Sequence, residues 1–140
     1  MEGIPEFNLA LLRLEAAAEV AGAAATAKGA HLIEAATKDN LSRYAHSKGT
    51  PTPSPPGEPP AVITGTLRRS VMVDGPNRVG FGVYEARIGP TVVYSRIQEL
   101  GGTAGRGSTL PPRPYLSPAV TASMPELGVI YREAWAAALH

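Results

Sequence analysis

The chain has 140 residues and a net charge of +1, enough for one domain of ordinary size and too balanced to give a general electrostatic reason for binding nucleic acid. It has no cysteine, which excludes disulfides, thiolate nucleophiles, iron–sulfur clusters and cysteine zinc sites. Its apolar share of 44% is rich in alanine and includes only two Phe and one Trp, while 15 Gly and 14 Pro predict a thin core with prominent connections.

Residues 5–47 contain no proline after Pro5 and are filled with Ala, Leu, Glu, Lys and Arg, which predicts helix. Phe7, Leu11, Leu14, Ala18, Ala21 and Ala25 return at helical spacing. A continuous helix of that size would be about 60 Å long, so the section around Gly22 and Gly29 is read as a place of close backbone packing or a break. Charges throughout the alanine-rich opening, and Glu2 and Glu6 leading it, argue against a membrane span or a signal peptide.

Residues 48–61 hold six prolines and read as a semi-extended connector, since proline fixes φ and offers no N–H. Thr64 is placed as the cap of a short helix over 65–70, followed by a strand at Val71 and Val73. The Asp74-Gly75-Pro76-Asn77 cluster is expected to turn the chain into a second strand from Arg78, with a possible change of phase near Tyr84. Residues 91–93 are read as a further strand or as the approach to a helix over 94–100, which Gly101-Gly102 stops. Residues 101–112 are expected to form an exposed loop. The last segment is read as a helix from about Pro118, interrupted or offset at Pro125, that resumes through Ile130, Trp135 and Leu139.

No string carries a diagnostic chemistry. The glycine-rich run from Gly101 to Ser108 lacks the lysine of a phosphate-binding loop and leads into Pro111-Pro112. His31, His46 and His140 have no metal-ligand spacing, and Asp74 and Glu85, which a hairpin can bring together, read as surface residues. Ser70, Ser95 and Ser108 have no recognisable nucleophile setting. No catalytic, cofactor or metal role is therefore assigned. Four basic and six acidic residues give residues 1–47 a charge of −2, and nine basic and six acidic give residues 48–140 a charge of +3. From Arg68 onward every basic residue is arginine, which suits directional pairing at protein interfaces. Tyr94, Tyr115, Tyr131 and Trp135 are candidates for an interface, with at least two of the four expected in the chain's own core.

The segments GTLRRSV at 65–71, RIGPTVVYSRIQELGG at 87–102 and RPYLSPAV at 113–120 resemble, in this order, the head-tail joining or tail-completion proteins of long-tailed bacteriophages, including tail terminators. The matching positions are Gly65, Leu67, Arg68 and Ser70; Tyr94, Glu99 and Gly101; and Pro114, Tyr115, Leu116, Pro118 and Ala119. The loops at 51–60 and 102–112 depart from the compact pattern of that family. The resemblance implies a single α+β domain over 1–140, with a small antiparallel sheet packed against a long N-terminal helix and a C-terminal helix. It implies a non-enzymatic virion subunit, built in the host cytoplasm and resident in the neck or head-proximal tail. The implied partners are further copies of the chain in a hexameric ring, the tail tube protein and the neck connector or stopper proteins, with genomic DNA passing through. On this reading Leu67, Tyr94, Tyr115 and Trp135 are packing or interface positions, Arg68 and Glu99 form a polar tie, and Arg106 contacts other neck or tail proteins. A head-side connector or stopper and a DNA-binding accessory protein are the alternatives.

Overall fold

The computed structural model describes residues 3–43, 57–60, 65–92, 94–104 and 107–139. The expectations for Thr64, Val93, Arg106, His46 and His140, and for most of the proline-rich connector, fall outside these residues. The architecture is α+β. Helix α1 (Ile4–Asn40) is followed by α2 (Thr66–Arg69), strands β1 (Val71–Gly80) and β2 (Val83–Pro90), α3 (Ser95–Leu100), strands β3 (Gly102–Ala104) and β4 (Ser108–Leu110), and α4 (Ser117–Ala138). The strands form two separate two-stranded sheets, β1 with β2 and β3 with β4.

The described chain divides into two compact units, one of Met1–Ala30, Asp74–Arg87 and Pro125–His140, the other of His31–Val73 and Ile88–Met124. In the first unit α1 is unbroken, because its two glycines serve close approach. A Cβ on Gly22 would lie 2.9 Å from the Tyr84 ring and 3.0 Å from the Gly82 carbonyl oxygen, and one on Gly29 would lie 2.7 Å from Leu127. The β1–β2 hairpin and α4 are thereby held against a face of α1 whose buried residues are Ala17, Ala21, Ala25 and Ala30. Small side chains give up burial per residue and gain proximity of backbones. In the second unit Leu41, Val71 and Tyr115 form the apolar centre, with Leu67, Ile88 and Leu116 packed around it.

Three local expectations are corrected. The 74–77 cluster does not turn; it lies inside β1, and the hairpin turns at Phe81-Gly82, where Gly82 sits at φ 63°. Gly75 serves strand proximity instead: at φ 119° a Cβ there would lie 2.7 Å from the Glu85 carbonyl oxygen. Residues 102–104 and 108–110 form a short antiparallel pair with Thr103 opposite Thr109, where a loop without strands was expected. Gly65, at φ 75°, is the N-cap residue of α2 and lends it no side-chain bond. Finally, α4 runs through Pro125 without a break. Proline there leaves one carbonyl, that of Thr121, without its helical donor, and Thr121 is exposed, where solvent serves in place of the lost bond.

Candidate functional site

The second unit is organised around one carboxylate. Gly101 ends α3 in the left-handed region at φ 70°, donating its N–H to the Ile97 carbonyl at 2.8 Å. Its missing Cβ lets the returning chain come close, since that atom would lie 2.8 Å from both the Leu110 oxygen and the Pro112 nitrogen. The Arg113 N–H then donates to the Gln98 carbonyl at 2.7 Å, which brings the start of α4 beside Glu99. Glu99 Oε2 accepts the N–H groups of Tyr115 at 2.8 Å and Leu116 at 3.0 Å. Oε1 accepts the N–H of Ser117 at 2.9 Å and its hydroxyl at 2.7 Å. The first N–H groups of any helix lack internal partners and carry positive partial charge, so a carboxylate from α3 caps α4. Pro118, in the first turn, has no N–H to leave unpaired. Burial pushes the Glu99 carboxyl up, but the bonds from Leu116, Ser117 and Tyr115 outweigh it and leave the group below the ordinary carboxylate range.

Tyr115 joins this cap to the apolar centre. Its ring is buried against Leu41 and Val71, its hydroxyl donates to the Ser95 carbonyl at 2.9 Å, and its own carbonyl accepts the Asn40 amide at 2.9 Å. Burial first, and the nearby Glu99 charge second, push its phenol up to about 12.

A second carboxylate, Glu19 on α1, organises the first unit. It accepts from Arg78 Nε at 3.1 and 3.0 Å and Arg78 Nη2 at 2.9 Å, from the Gly82 N–H at 2.8 Å and from the Tyr84 hydroxyl at 2.6 Å. The Arg78 bonds, then those from Tyr84 and Gly82, hold its carboxyl down to about 2. Glu19 thus fixes both arms and the turn of the β1–β2 hairpin to the helix.

What these ties leave uncovered is as distinctive. Residues 4–14 of α1 are exposed on every side, although they include Ile4, Phe7, Leu9, Leu11, Leu12 and Leu14, with Phe7 67% exposed. The same unit exposes Val79, Phe81 and Val83 at the hairpin end. A groove of about 740 Å³ runs along α1 beside the end of α4, lined by Ala10, Arg13, Ala17, Val20, Ala138 and Leu139 among others. Large apolar residues exposed this densely, with Glu6, Asn8 and Arg13 between them, exceed the scattered singles of an ordinary surface and mark the patch as a candidate interaction surface.

No family model, curated protein or solved structure matches this chain.

Of the residues singled out from sequence, Tyr115 is core and Leu67 packs against it. Tyr94 and Trp135 are 45% and 36% exposed, and Tyr131 is 43% exposed, so Tyr115 is the one buried ring of the four aromatics, where at least two were expected. Close packing on alanine leaves little space for rings in the first unit. The Arg68–Glu99 tie is not formed. Arg68 Nε donates to the Lys38 carbonyl at 3.3 Å, while Glu99 is fully engaged by the start of α4. Asp74 and Glu85 do not pair: Asp74 accepts from Asn77 at 3.4 Å, and Glu85 accepts from Arg87 at 2.8 Å. The Glu19 cluster escaped sequence reading because its arginine lies 59 residues away and one of its donors is a backbone N–H. Among the described residues no group of three or more His, Cys, Asp or Glu is placed to hold a metal ion, and no helix is long and apolar enough to cross a membrane.

Proposed function

We propose that the chain is a structural subunit of a bacteriophage neck or head-proximal tail end, assembling with copies of itself as a ring that completes the tail and joins it to the capsid. The observation that carries this reading is the meeting of the three motif segments in one unit. Glu99 from the second segment caps the helix opened by Tyr115, Leu116 and Ser117 of the third, and Leu67 of the first packs on the same Tyr115 centre. Both carboxylate clusters are saturated with donors from their own chain, which suits a positioning role better than chemistry on a substrate. Arg78 and Arg87 are engaged by Glu19 and Glu85, which weighs against a DNA-binding surface at the hairpin.

The expected partners are the tail tube protein on one side and connector or stopper proteins on the other, with DNA passing through a hexameric ring. Electron microscopy of purified particles, combined with mass measurement on the isolated protein, tests this. A ring at the neck, and intact capsids with separate or abnormally long tails when the gene is removed, are expected. A chain that is monomeric at high concentration and absent from particles overturns it.

A further inference from the structure

We draw no further inference here: the strongest candidate, the exposed apolar surface of α1 from Ile4 to Leu14 with the groove beside the end of α4, carries none because nothing in the structure shows what covers it.

Discussion

Replacing Glu99 with glutamine removes one acceptor oxygen and the charge while keeping the shape. The carboxylate receives four donors at 2.7–3.0 Å from three successive residues. In the variant one amide oxygen serves one pair of donors and the NH₂ faces the other pair. If that pair belongs to Ser117, the hydroxyl can turn and accept, so one backbone N–H is left unpaired and the remaining bonds lose their charge assistance. Losing the bond to a charged acceptor costs about 1.5–3 kcal/mol in a buried setting, and the half-buried position of Glu99 places the expected loss near the lower part, about 2 kcal/mol. Glu99→Ala, which removes the whole cap, is expected to lose about 3 kcal/mol. For a chain of this size 2 kcal/mol lowers the melting temperature by about 8 °C. Urea unfolding followed by circular dichroism and tyrosine fluorescence measures both variants. The pH dependence supplies a second reading. The folded-state pKa of Glu99 is depressed, so its stabilisation is present above the unfolded value near 4.3 and is lost as pH falls through the folded value below it. The stability gap between wild type and Glu99→Gln must therefore close on acidification through that window. A melting temperature within about 2 °C of wild type for both variants, or a gap that keeps its size to the lowest pH at which the protein is folded, refutes the cap.

Gly22→Ala is expected to lose about 1 kcal/mol because the new methyl meets the Tyr84 ring and the Gly82 carbonyl, whereas Gly128→Ala, with its nearest neighbour at 3.8 Å, is expected to gain about 0.5–1 kcal/mol from helix propensity; equal signs in thermal unfolding contradict the packing described. Glu19, held down to about 2, stabilises above the unfolded value near 4.3, and its contribution fades as pH falls toward 2; in Glu19→Gln the hairpin amide of Gly82 is expected to exchange faster at neutral pH, and unchanged exchange contradicts the tie. Tyr115, pushed up to about 12, is expected to ionise later than an ordinary phenol in an alkaline absorbance titration, and Tyr115→Phe should remove that late component and about 1 kcal/mol with the Ser95 bond.

The helices were readable because helix leaves a periodic trace. In α1 the apolar positions return every three or four residues over its length, and no proline interrupts them. Glycine and proline were harder, because one residue type serves several purposes. Gly75 was read as a turn former and instead brings two strands together, while Gly82, one of a pair of glycines in a strand-like run, makes the turn. Pro125 was read as an interruption or offset because the rule concerns the lost bond, and the rule does not weigh the many bonds retained on either side, which carry the helix through unbroken. The site shows the same limit. Glu99 stood out in the sequence, yet three of its four donors are backbone N–H groups 16–18 residues away, and a backbone donor carries no residue letter. Arg68 was chosen as its partner because opposite charge is the only pairing that letters display.

The distribution of large side chains supplies a further quantitative test of assembly. Among the described residues, Tyr115, Leu41 and Val71 are the large apolar residues buried to 2% exposure or less, while Phe7, Phe81, Leu12, Val20 and Leu139 are all more than half exposed. On the proposed ring reading, a chain arranged in this way takes part of its stability from contacts with other copies, since burying a Leu or Phe side chain contributes about 1.5–3 kcal/mol that the monomer leaves unused. Binding that favours the folded state raises apparent stability with the logarithm of partner concentration. In the range above the dissociation constant, each tenfold rise in protein concentration adds about 1.4 kcal/mol per contact, and the melting temperature should climb by several degrees. On that reading the same series with Phe7→Asp, at a residue 67% exposed, should be flatter, because the variant removes apolar surface open to other copies. A wild-type melting temperature constant over a hundredfold concentration range would mean that the exposed leucines of α1 have no copy of this chain to cover them.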